Sequence, residues 1–249
     1  MGLNIDNFSY STFLSSMDNR GLTGSGFRIT DGGKEFLVTA RHVLFNEKNE
    51  LRCDSFYCTS QNSLGELEEA RTIIIDLSKS DIIETKSIDI ACLELILEEN
   101  YDVQQEGKNI IAAKFQDLLL LDKIIVSKPV IQVGFPTSLY LEGFQFFDTN
   151  RPLLRKGIIA GIHSKNNTFI IDCPAFYGNS GGPVILPSEN GNTKVIGIVS
   201  RYIPFVTEWK NKHERQFTRE EFYNSGYAVC VPLDSIIENM GIGGDVVPA

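Results

Sequence analysis

An all-β fold is the class this sequence predicts, on three observations. Short runs rich in β-branched and aromatic residues recur along the chain, Gly, Asn and Asp fall between them, and helical periodicity is confined to two stretches. The runs are residues 26–30, 35–39, 71–76, 88–95, 124–133, 157–162, 168–172, 184–186, 194–200 and 227–231. Their spacing suits a barrel or sandwich better than alternating strand–helix units.

The first helical stretch, residues 108–121, divides the chain near its middle and reads either as partly helical or as a connection between two halves. In the second, Leu233, Ile236, Ile237 and Met240 fall at i, i+3, i+4 and i+7, and Gly241 follows as a stop signal. This predicts a short amphipathic C-terminal helix. Between two late strands, residues 204–224 include the charged run VTEWKNKHERQFTREEF and the single tryptophan, Trp209. That segment reads as an exposed excursion.

A chain of 249 residues can bury a substantial core, as one domain or as two half-size units sharing a cleft. Its net charge of −9 disfavours a sequence-independent grip on nucleic-acid phosphates, and an anionic membrane surface repels it equally. The first twenty residues lack a basic stretch followed by an apolar one, so no secretory signal is expected. No apolar run approaches the roughly 20 residues that cross a bilayer. Met1-Gly2 without Ser or Thr at position 6, where Asp6 stands, fails as a myristoylation motif. The five cysteines (Cys53, Cys58, Cys92, Cys173 and Cys230) are irregularly spaced and form no CxxC, so they read as buried small hydrophobes in a reducing compartment. A cytoplasmic protein without metal or cofactor is expected.

One stretch carries chemistry: "AFYGNSGGPV", residues 175–184, places a lone serine among three glycines. A serine hydroxyl is a poor nucleophile until a base takes its proton, and that base must be held in the right tautomer. A tight glycine turn supplies backbone N–H donors for an oxyanion without side-chain entropy. Gly178, Asn179 and Ser180 fit that demand, and Gly181-Gly182 lets a substrate approach closely. No lysine follows the glycines, which excludes a phosphate loop. Of the three histidines, His213 lies in the charged excursion and His163 follows a β-prone run with no acidic residue nearby. His42, in Phe36-Leu-Val-Thr-Ala-Arg-His-Val-Leu44, sits where a strand ends beside small residues and can reach into a cleft. Asp89 interrupts an apolar strand in "SIDIACLEL", and a carboxylate there needs a partner such as an imidazole N–H.

The order "TARHV", "DIACLEL", "GNSGGPV" resembles the chymotrypsin-fold (trypsin-like) serine peptidases, and most of all the bacterial HtrA/Deg type. Gly24-Ser-Gly-Phe27, Val133-Gly-Phe-Pro136, Lys156-Gly-Ile-Ile159, Ile196-Gly-Ile-Val-Ser200 and Gly226-Tyr-Ala-Val229 match further segments of that family, over roughly residues 20–240. The resemblance implies two antiparallel six-stranded β-barrels and a short C-terminal helix. Residues 1–20 would be an extension, 21–120 the N-terminal barrel and connecting segment, and 121–249 the C-terminal barrel with its helix. It implies a serine endopeptidase that works through an acyl-enzyme, with His42, Asp89 and Ser180 as the triad. The oxyanion hole would be Gly178, Asn179 and Ser180.

The pocket floor falls by the same resemblance at Pro174, and Ser200, Arg201, Tyr202 and Gly226 line the substrate site. Without a carboxylate at 174, Lys or Arg is disfavoured, and Tyr202 narrows the pocket towards small or medium apolar side chains. Secreted members pair a freed N-terminus with an aspartate just before the serine. Here that position is Asn179, so the uncleaved chain is expected to be competent. No PDZ-like segment is read after residue 240, which leaves regulation to a protein partner. The alternative is a catalytically silent or partner-gated binding module. An α/β-hydrolase esterase is disfavoured, because GxSxG is absent around Ser180 and the triad order differs. Expected partners are protein or peptide substrates and a regulatory protein, with no nucleic acid and no membrane, in a bacterial cytoplasm.

Overall fold

The structure, a computed structural model, describes residues 3, 7–18, 21–62, 69–137, 148, 151–187, 193–210 and 218–240. The N-terminal half is one curled sheet. Its strands are β1 (Ser11–Ser16), β2 (Thr23–Thr30), β3 (Glu35–Thr39), β4 (Ser55–Ser60), β5 (Arg71–Asp76), β6 (Ile82–Thr85), β7 (Ile88–Leu95) and β8 (Tyr101–Gln105), with β9 (Ala113–Lys114) beside β2. A single helical turn, α1 (Arg41–Leu44), follows β3. The sheet order is β6-β7-β3-β2-β1-β4-β5-β8. Side-chain alternation explains the pairing: Phe56 and Cys58 of β4 face Ile75 and Ile73 of β5, and all four are buried. Each such apolar side chain contributes about 1.5–3 kcal/mol by leaving water.

The C-terminal half is a closed barrel of β10 (Pro129–Gly134), β11 (Leu153–His163), β12 (Thr168–Asp172), β15 (Thr218–Val231), β14 (Lys194–Lys210) and β13 (Pro183–Leu186), in that order around the wall. Of the two six-stranded barrels expected, the second is present as a closed barrel, whereas the first is a nine-stranded sheet that curls without closing on itself. Its β6 edge is covered instead by the C-terminal helix α2 (Asp234–Asn239), which packs on β6 and β7.

One buried cluster fills the N-terminal sheet and takes in Val133, Ile185, Val195, Ile198 and Val231 from the barrel, so the two halves share a core at their junction. A second cluster around Phe169, Ile171 and Val199 fills the barrel itself. Residues 108–121 form a connection, with β9 and a 3-10 turn at Phe115–Asp117. The carboxylate of Asp234 accepts the backbone N–H of Leu121 at 3.1 Å and ties α2 to that connection.

The charged excursion is a correction to the sequence reading. β14 and β15 run on as a paired ribbon from Ile198–Val231 to Lys210–Thr218. β-Branched and aromatic residues such as Phe205, Val206, Phe222 and Tyr223 sustain strands there despite the charges. His213 and Gly241 lie outside the described residues. All five cysteines are free and buried.

Candidate active site

His42 reaches the cleft because the chain turns at once after β3. Ala40 is extended and fully buried, and Val43 and Leu44 anchor the helical turn in the core. The ring is left 45% exposed. Asp89 is the second residue of β7, whose Ala91 pairs with Thr39 at the end of β3, so the carboxylate arrives beside the turn. It accepts three hydrogen bonds. The His42 backbone N–H donates to Oδ1 at 3.0 Å, His42 Nδ1 to Oδ2 at 2.8 Å and Ser200 Oγ to Oδ2 at 2.5 Å. Burial alone raises the Asp89 pKa, but the bonds from His42 and Ser200 outweigh it and hold the carboxyl below its ordinary value. A carboxylate only accepts, so Nδ1 carries the hydrogen and Nε2 presents its lone pair to the cleft. Arg201, 69% exposed, stands 4.0 Å from the same Oδ2.

Ser180 sits in a turn whose backbone only glycine can follow. Gly178 has φ +93° and Gly181 φ +85°; a Cβ at Gly178 would stand 2.2 Å from the Phe135 carbonyl, and one at Gly181 2.1 Å from that of Ser25. Asn179, buried, accepts the Phe176 N–H on Oδ1 at 2.9 Å while its own N–H donates to the Phe176 carbonyl at 2.9 Å. A side-chain amide thus closes the turn with no ammonium.

Fully buried Ser25, on β2, braces it from the other sheet. Its N–H donates to the Ser180 carbonyl at 2.8 Å, its hydroxyl to the Gly178 carbonyl at 2.6 Å, and the same oxygen accepts the Phe135 N–H at 2.9 Å. With both carbonyls tied back, the N–H groups of Gly178 and Ser180 have no protein acceptor among the described residues. These are the two donors an oxyanion needs. The Ser180 hydroxyl donates to the Ser200 carbonyl at 3.1 Å, and no hydrogen bond joins it to His42 among the described residues.

His42, Gly178 and Ser180 line one cleft of about 400 Å³, together with Ser200, Arg201 and Tyr202. Asp89 lies behind His42, in an adjoining hollow it shares with Arg41 and Arg201. Asn179 is buried beneath the turn rather than facing the cleft. Pro174 and Gly226 fall outside the cleft lining; Ala175, Phe176, Tyr177 and Val199 form that wall. In the β14–β15 ladder Tyr202 stands opposite Ala228, and Gly226 falls in the irregularity between that pair and Pro204–Asn224. Ser25, Tyr177 and the Ser200 hydroxyl were not assigned these contacts from the sequence. Only the "GSGF" segment pointed to Ser25, and nothing in it foretold a bond across the two sheets.

A sequence profile of the trypsin-like peptidase domain matches residues 24–198. None of the curated proteins matches significantly. Among solved structures, a serine endoprotease from Yersinia pestis is similar with a TM-score of 0.52 at 14% identity, over 94% of this chain and 62% of that one. The HtrA-type protease AlgW, bound to a tripeptide, gives a TM-score of 0.56 at 18% identity, over 94% of this chain and 60% of that one. The protease Anisep from Arthrobacter nicotinovorans gives 0.54 at 13%, over 92% of each chain. This chain thus spans about three-fifths of the length of the first two. With seven-tenths of its residues inside the matched profile and a chymotrypsin-like arrangement of sheet and barrel around Ser180, the chain belongs to the trypsin-like peptidase family.

Proposed function

We propose that the chain is a serine endopeptidase that hydrolyses peptide bonds in protein substrates through an acyl-enzyme. In this reading Ser180 Oγ attacks the scissile carbonyl as His42 Nε2 takes its proton. The oxyanion forms against the Gly178 and Ser180 N–H groups, and the C–N bond breaks as His42 returns the proton to the leaving amine. Water then attacks the ester with His42 as base and frees Ser180. Asp89 holds the His42 tautomer and stabilises the imidazolium. The observation that carries the reading is the pair of backbone donors beside Ser180 that have no acceptor among the described residues, while the Gly178 and Ser180 carbonyls are tied back to Ser25.

The Ser180–Ser200 bond favours a second reading, in which the serine rests turned away until a substrate or partner protein draws it to His42. The substrate class proposed is a small or medium apolar side chain at the attacked residue. The compartment proposed is a reducing one, supported by five buried free thiols. An ethoxy fluorophosphonate probe tests the chemistry on the full-length, untrimmed chain. Label on Ser180, lost in Ser180→Ala, is expected. Absence of label with and without candidate partners leaves a binding module, and label only after N-terminal trimming overturns the claim that Asn179 replaces a buried ion pair.

A further inference from the structure

We propose that Tyr177 and Tyr202 form a two-ring gate across the mouth of the specificity pocket, so that only small side chains pass unless the rings part. The inference rests on the serine-peptidase reading and deepens it by naming the filter.

The cleft beside Ser180 has two walls. One is the loop that leads into the oxyanion turn, with Ala175, Phe176 and Tyr177; the other is β14, with Val199, Ser200 and Tyr202. Tyr177 and Tyr202 project from opposite walls and meet edge to face, with ring centroids 6.2 Å apart and planes at 79°. Hydrogen bonding to the Tyr177 side chain holds the Tyr202 phenol above its ordinary pKa. Core packing holds only one of the two: Tyr202 packs against the barrel core, whereas Tyr177 is 72% exposed. A lone exposed tyrosine needs no explanation, but two that bridge the walls of a catalytic cleft close a path.

The backbones on either side are fixed. Asn224 Nδ2 donates to the Ala175 carbonyl at 2.6 Å, Asn179 Oδ1 holds the Phe176 N–H, and the Arg155 guanidinium covers the Phe176 ring at 4.6 Å. Tyr202 is held in register opposite Ala228. The two rings are therefore the parts proposed to move. A short side chain fits beneath them, whereas a bulky one must break their contact.

The test uses the full chain and a series of peptidyl diphenyl phosphonates that differ only in the side chain beside phosphorus: alanine-like, valine-like and phenylalanine-like. Second-order labelling rates are measured for the wild type, Tyr177→Ala, Tyr202→Gly and Tyr177→Phe, with thermal melts to show that each is folded. The wild type should take the alanine-like reagent at least about tenfold faster than the phenylalanine-like one, a ratio within reach of a hydrophobic size filter. Tyr177→Ala and Tyr202→Gly should erase or invert that ratio by speeding the bulky reagent, and Tyr177→Phe, which keeps the ring but loses the hydroxyl bond, should fall between. If Tyr202→Gly does not fold, Tyr177→Ala, which changes an exposed side chain, decides alone. Equal rates for the small and bulky reagents in the wild type, or a ratio unmoved by Tyr177→Ala, overturn the gate and leave the serine chemistry intact. A folded chain that no reagent labels, the ethoxy fluorophosphonate included, with and without candidate partners, overturns the peptidase reading and the gate with it.

Discussion

The two sheets contribute to the cleft in different states of readiness. From the N-terminal sheet come His42 and Asp89, locked by three hydrogen bonds on one carboxylate. From the barrel comes Ser180, whose surrounding amides are fixed to the same standard but whose hydroxyl is turned to the Ser200 carbonyl. The difference separates what is costly to organise from what is cheap. Orienting backbone dipoles demands a folded frame. Redirecting a serine hydroxyl demands rotation about one bond and the loss of one neutral hydrogen bond, worth about 0.5–1.5 kcal/mol. The frame is therefore prebuilt, and Ser180, the proposed nucleophile, is the part left free to answer a substrate.

The largest expected effects come from breaking the N-terminal half. Asp89→Asn keeps the shape but removes the acceptor that fixes the His42 tautomer, and kcat on a peptide ester should fall by about 10⁴-fold with the fold preserved by circular dichroism. A fall below tenfold would show that His42 is held by something else.

Next comes the brace across the two halves. Ser25→Ala leaves the Gly178 carbonyl and the Phe135 N–H without their partner. The oxyanion donors should loosen, lowering kcat by roughly ten- to hundredfold with KM within about twofold, since the ground-state substrate makes little use of them. Stability should drop by about 1–3 kcal/mol in urea unfolding, the cost of stranded buried polar groups. A change confined to KM would place Ser25 in binding rather than in positioning.

Much of this architecture was legible in the residues. The strands around Ile73, Ile90, Phe169 and Ile198 announce themselves because buried β-branched and aromatic residues alternate or run together there. By contrast, β1 and β4 are rich in Ser and Thr, and what makes them strands is pairing with distant segments, as where Leu14 stands opposite Cys58 and Thr12 Oγ1 meets Cys58 Sγ at 2.8 Å. The ribbon was hidden by its charges, which solvent accepts on an exposed two-stranded surface. At the site, His42, Asp89 and Ser180 were readable from residue type and local surroundings, whereas the contacts of Ser25 and Ser200 bridge 153 and 111 positions, distances over which no local pattern speaks.

Acid sharpens the comparison more gently. Because the Asp89 carboxyl is held below its ordinary value of 3.8, its bonds add stability that is fully present above that value and is lost as pH falls through the lower folded one. The gap in melting temperature between wild type and Asp89→Asn should therefore be constant near neutrality and shrink below about pH 4. A gap that widens in acid contradicts the assignment.

Smallest of all, Asn224→Ala removes the bond from the base of the ribbon to the Ala175 carbonyl. Turnover of a tripeptide ester should change by no more than about fivefold, the worth of one partly exposed hydrogen bond. A loss as large as that of Ser25→Ala would put the ribbon, rather than β2, in charge of the turn.

The central claim is that a prebuilt frame lets Ser180 carry an acyl group. Rapid mixing with a slowly deacylated peptide ester, an acid quench and mass mapping test it most directly. The account predicts one acyl adduct on the peptide that contains Ser180, formed at a rate that collapses in His42→Ala. An unmodified Ser180 in a folded chain, or an adduct on another residue, contradicts it.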